Sequence, residues 1–191
     1  TDILKKNIKN IDISTFGSSK FGFNKKNNYK KENICLVLPE AIIDECEILF
    51  KFTLDYSKKY HDLKFIWRLH PLFDFELLSK KINLKFNNNS KIILSENNKS
   101  DFEISKYCLF RGSSSVIEAI NAESIPIYLD LINKININPL SNESVIRNVQ
   151  NISDLNKIIK SDSRENYKAR SLKIDVNKYF LKSEYENLKI L

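Results

Sequence analysis

Two short stretches hold most of the residues able to do chemistry. The first is RLHP, Arg68 to Pro71. The second is RGSSSVIE, Arg111 to Glu118, with the last of three glycines and the chain's only run of three serines. In the first, Arg68 and His70 share one face of an extended segment by alternation, Leu69 lies opposite, and Pro71 stops the strand. In the second, an apolar run ends at Arg111-Gly112, and Ser113, Ser114 and Ser115 open a helical pattern. A helix start offers unpaired N–H groups and about half a positive charge, a natural seat for an anion. The serine hydroxyls add neutral donors, and Gly112 lets the backbone turn sharply and approach a ligand closely. Arg68 or Arg111 would supply a charge-assisted fork, and His70 a donor that can also hold a proton. Together these groups describe a phosphate or diphosphate pocket without a glycine-rich loop. Such a pocket fits a nucleotide-linked compound held at its phosphates while a leaving group departs.

Plainer readings stand beside these. Ser115 and Glu118 have the Ser-x-x-Glu spacing of a capping box, as do Ser100 and Glu103. Arg111 could simply meet an acidic side chain, and Gly112 could serve turn geometry alone. His61, in the polar turn YHDLK, reads as surface, and Phe65 and Trp67 as core.

The elements that must position the two stretches are legible. Continuous apolar runs at 34–39, 63–71, 91–96, 107–112 and 125–130 predict five strands. Between and after them, helices are predicted over 41–60, 74–82 with Asp74 as N-cap, a short one from 100, 115–122, 152–160 and 165–181. On the first helix Ile42, Cys46, Leu49, Phe50 and Thr53 share a face. Strands that are apolar throughout, alternating with helices, indicate an α/β fold: a doubly wound parallel sheet covered on both faces. Ligands of such sheets bind where strand carboxyl ends meet helix amino ends, which is where both stretches fall. Residues 1–33 read as a polar leading loop, and 34–191 as one nucleotide-binding Rossmann-like domain with C-terminal helices.

Composition narrows the function. A chain of 191 residues can bury a sizeable core, roughly 70% of its unfolded surface, without a metal or disulfide staple. Cys35, Cys46 and Cys108 lack CxxC spacing and read as buried thiols of a reducing compartment. With two histidines and no DxD pattern, no metal or other cofactor is expected. The net charge of +7 is spread along a Lys/Asn-rich chain, and no RNP, KH or zinc-finger pattern points to nucleic acid. The expected location is cytoplasmic, at most at the inner face of a membrane, which the basic helices at 152–181 could touch.

Three segments carry a resemblance: LVLPE at 36–40, FIWRLHP at 65–71 and RGSSSVIEAINAESIPIYL at 111–129. In this order they resemble the carboxy-terminal, nucleotide-binding half of GT-B glycosyltransferases of bacterial surface-carbohydrate synthesis. The Arg-x-His-Pro element and the serine turn are similar to those of sialyltransferase-like, polysialyltransferase and glycerophosphotransferase families. The resemblance implies that His70, Ser113 and Ser114 hold the phosphate of a nucleotide-activated sugar of CMP, CDP or UDP type, with His70 stabilising the leaving group. It implies that Pro39 and Glu40 lie near the nucleobase, and Glu118 near the ribose or as a cap. It also implies a second GT-B domain absent from this chain, so that the chain would be inactive alone, with 176–188 as a helix packing back onto that domain. The polyol-phosphate transferases within the resemblance leave a CDP-polyol donor as an alternative, and a non-catalytic nucleotide-binding or interaction domain is a third reading. Many relatives carry glycine in the turn before IPIYL, where this chain has Glu123-Ser124.

Overall fold

A computed structural model describes residues 30–84, 91–144 and 146–162, all within the unit Asn28–Ile174. The predicted helix at 165–181, the segment 176–188 and most of the leading loop lie outside the described residues.

Six strands form the sheet among the described residues: β1 (Glu32–Leu38), β2 (Lys64–Trp67), β3 (Ile92–Leu94), β4 (Ser105–Phe110), β5 (Ile125–Leu129) and β6 (Arg147–Val149). Their order is β3-β2-β1-β4-β5-β6, and every pairing is parallel. This is the Rossmann-like α/β sheet the apolar runs predict. In β1 Ile34 to Leu38 are all buried, and in β5 every residue is; strands covered on both faces have no polar side to show. The sixth strand escaped prediction because it is three residues and polar rather than apolar: of Arg147, Asn148 and Val149 only the valine is buried.

Among the described residues five helices connect and follow the strands: α1 (Ile43–Lys59), α2 (Phe75–Lys81), α3 (Ser100–Ile104), α4 (Val116–Asn121) and α5 (Ile152–Asp162). Cys46, Leu49, Phe50, Thr53 and Tyr56 form the buried face of α1. Ile42, expected on that face, instead precedes the helix and is exposed. Phe50 stacks on Trp67 of β2 at 4.3 Å between ring centroids, and the indole N–H donates to Thr53 Oγ1 at 2.9 Å. That one contact fixes helix to sheet and satisfies the only polar atom of the indole.

The caps divide. Asp74 accepts from the Leu77 N–H at 3.0 Å, as predicted for α2. Replacing Asp74 by alanine is expected to cost about 1 kcal/mol in urea unfolding, the usual loss for one N-cap. Neither predicted capping box forms. Ser100 is already inside α3, and Ser115 before α4 is itself helical (φ −64°, ψ −13°) with no side-chain cap bond. A capping box needs an extended N-cap; here the chain winds earlier, with Val116 N–H donating to the Ser113 carbonyl and Ile117 N–H to that of Ser114.

The three cysteines are buried free thiols, and Phe65 and Trp67 are core while His61 is exposed. At the turn before β5, Glu123 has φ 65°, a left-handed conformation that glycine adopts without strain. No helix among the described residues is long and apolar enough to cross a membrane.

Candidate functional site

The strand order reverses direction between β1 and β4: after β1 the chain builds outward through β2 and β3, after β4 through β5 and β6. At such a switch point the loops leaving the two central strands diverge and open a crevice at the carboxyl edge. Pro39 and Glu40 follow β1, and Arg111 to Ser115 follow β4, so both line this crevice. The RLHP stretch follows β2, on the far side of β1. It stands two strands, roughly 10 Å, from the serine turn in the plane of the sheet.

β2 ends sooner than predicted, at Trp67, although the Arg68 N–H still donates to the Val37 carbonyl. Beyond it the chain turns: His70 O accepts from the Phe73 N–H at 2.9 Å, and His70 Nδ1 accepts from the Leu72 N–H at 3.3 Å. With Nδ1 accepting, the assigned ring proton sits on Nε2, which has no partner among the described residues. An unpaired ring N–H is a donor a phosphate oxygen could accept from.

The serine turn offers further donors. The backbone N–H groups of Gly112, Ser113, Ser114 and Ser115 make no hydrogen bond among the described residues. Neither do the three hydroxyls, although Ser113 is only 8% exposed. Ser114 is exposed, and Ser115 and Glu118 are half-buried. Since α4 has only six residues, what this turn could offer an anion is its successive N–H groups and not a helix dipole.

Both arginines are engaged within the protein. Arg111 is 1% exposed; its Nε donates to Glu45 Oε2 at 2.6 Å, Nη1 to the Leu129 carbonyl at 2.6 Å and Nη2 to that of Ile135 at 3.1 Å. The fork expected toward a ligand is directed instead at an acid and two carbonyls. Arg68 binds Asp101 Oδ2 and the Asn98 carbonyl, both at 3.0 Å, and lies over the Phe102 ring. Ser95 also donates to Asp101. Arg68 therefore braces the β2 and β3 ends against α3. Sequence could not show either pairing, because Glu45 and Asp101 lie far away in the chain and carbonyl acceptors leave no signature.

Gly112 is needed for a reason other than turning. It has no positive φ, but a Cβ there would lie 1.4 Å from Glu40 Oε1 and 3.0 Å from Ile137 Cδ1. The close approach is made by the protein's own carboxyl. Pro39 before it is buried, and Glu40 Oε1 is buried without a hydrogen-bond partner. Burial pushes the Glu40 carboxyl above the usual carboxylate range, the neighbouring Glu45 adds to this, and Arg111 partly opposes it. Among the described residues no group of three or more His, Cys, Asp or Glu gathers as metal ligands would.

No family model and no curated sequence matches the chain. Solved structures do. UDP-GlcNAc 2-epimerase of Methanocaldococcus jannaschii, in complex with UDP-GlcNAc and UDP, matches 85% of this chain and 45% of its own, at 18% identity and TM-score 0.55. TarM matches 81% of this chain and 35% of its own, at 16% identity and TM-score 0.52. The S. aureus MnaA–UDP structure matches 76% and 41%, at 18% identity and TM-score 0.46. The kinship shown is one of fold. The chain spans less than half the length of each of these three structures.

Proposed function

We propose that the chain is the donor-binding half of a GT-B-like glycosyltransferase, taking a nucleotide-activated sugar at the switch-point crevice. The observation that carries this reading is the set of unpaired donors there: four consecutive N–H groups and three hydroxyls after β4, with the His70 Nε2–H across β1. Such donors suit phosphate oxygens, and UDP and UDP-GlcNAc occupy the M. jannaschii structure of shared fold. This chain covers 45% and 35% of these two matched structures, and the second domain as partner rests on the sequence resemblance.

In this reading the bond between the anomeric carbon and a phosphate oxygen breaks, and a bond to an acceptor hydroxyl forms. Ser113, Ser114 and the turn N–H groups hold the departing phosphate, and His70 donates to the oxygen that gains charge. The acceptor and the base that takes its proton belong to the second domain. The acceptor's assignment to a surface polysaccharide or glycolipid, and a CMP or CDP donor, rest on the sequence resemblance.

Thermal unfolding against CMP, CDP, UDP, GDP and ADP tests the site. A ligand at 100 times its Kd should add about 2.7 kcal/mol. A shift with one nucleotide is expected, abolished in His70→Ala and Ser114→Ala while their unliganded Tm changes little. Equal indifference to all five nucleotides would overturn the reading.

A further inference from the structure

The group in the crevice with a buried oxygen and no hydrogen-bond donor is Glu40. Three elements meet around its carboxyl. From α1 comes Glu45, from the end of β4 Arg111 with Gly112, and from the segment after β5 the apolar Ile137. Tyr128 of β5 lies under the same Arg111, and Asp130 just after the strand stands near Tyr128. Arg111 is the sole cation of this group, and its Nε contact is with Glu45 rather than Glu40. Glu40 Oε1 is sealed against the Cα of Gly112 with no donor. A carboxyl oxygen without a donor, only partly offset by Arg111, thus lies against Gly112, at the start of the turn assigned to an anion.

We propose that Glu40 makes anion binding at the serine turn proton-coupled: while ionised it opposes an anion at Gly112–Ser115, and the anion is held with Glu40 neutral. The inference rests on the assignment of a phosphate seat to that turn. Its physical basis is like-charge repulsion in a partly desolvated crevice, where screening by water is weak. A carboxyl already displaced upward by burial and by Glu45 is displaced further when a second anion arrives. Binding therefore takes up a proton, and affinity falls as pH rises through the interval between the free and the liganded pKa. Glu40 in this role is a specificity-determining residue, discriminating by ligand charge and not by shape.

The probe is inorganic sulfate, a phosphate surrogate with no proton to exchange near neutrality. Its binding is followed at the backbone amide of Gly112, in a chain with only three glycines, in the wild type and in Glu40→Gln. In the wild type the sulfate Kd is expected to rise with pH, at most tenfold per pH unit for one linked proton. Glu40→Gln, isosteric and uncharged, should bind sulfate more tightly than the wild type at the alkaline end and with a flatter profile. Any contribution of His70 is common to both proteins and cancels in the comparison. Glu40→Ala should behave as Glu40→Gln does. Parallel profiles in wild type and Glu40→Gln, or weaker binding in the variant at alkaline pH, would overturn the proton coupling while leaving the phosphate seat intact. Absence of any sulfate-dependent shift at Gly112 in either protein, at every pH, would remove the seat itself and the coupling with it.

Discussion

Arg111→Met is expected to destabilise the protein by about 3–5 kcal/mol in urea unfolding, the range for breaking a buried ion pair by removing one partner. The loss comes from what is left behind. Glu45, whose side chain is 12% exposed, keeps a charge without its counter-ion, and the carbonyls of Leu129 and Ile135 lose their donors. Removing both ends of the pair separates this account from simple loss of packing. Arg111→Met combined with Glu45→Leu should recover a substantial part of the stability, because no orphaned charge remains. Arg111→Lys should fall between, since an ammonium cannot span an acid and two carbonyls set around a planar fork. If Arg111→Met unfolds like the wild type, the arginine is not the brace that its contacts describe.

The second large effect is expected at Trp67. Trp67→Ala should cost about 3–5 kcal/mol, as for other buried aromatic truncations. The side chain is wholly buried, stacks on Phe50, and donates to Thr53. Its removal opens a cavity between α1 and the sheet, next to the strand that leads directly into RLHP. Because this is the chain's only tryptophan, the transition must be followed by circular dichroism in place of fluorescence. Trp67→Phe should recover most of the loss, leaving the Thr53 hydroxyl bond unmade.

The sheet was legible because its strands advertise burial on both faces: Cys35 to Leu38, Tyr107 to Phe110 and Ile125 to Leu129 can be nothing else in an α/β chain. β6 was not, since an edge strand with a half-buried Arg147 paired to Asp162 and an exposed Asn148 has no apolar signature. The two carboxyl-edge stretches were located correctly by topology alone, but their chemistry was only half readable. Hydroxyl and N–H donors are local, so Ser113 to Ser115 kept their predicted place. Charge partners are not local, and Arg68 and Arg111 both changed role once Asp101 and Glu45 were brought to them. The Ser-x-x-Glu pattern misled twice for one reason. The same four residues also fit a turn that winds one residue early, and nothing in their identity chooses between the two.

The Glu40 carboxyl fills the space that a side chain at residue 112 would occupy. Positions 40 and 112 therefore share one volume, divided between them as nothing and a long acid. A larger residue at 112 becomes admissible only when residue 40 is shortened or swings away, so neither position has a substitution tolerance of its own. Gly112→Ala and Glu40→Ala are accordingly not independent changes, and a variant library that samples either alone would misjudge what the crevice can accept.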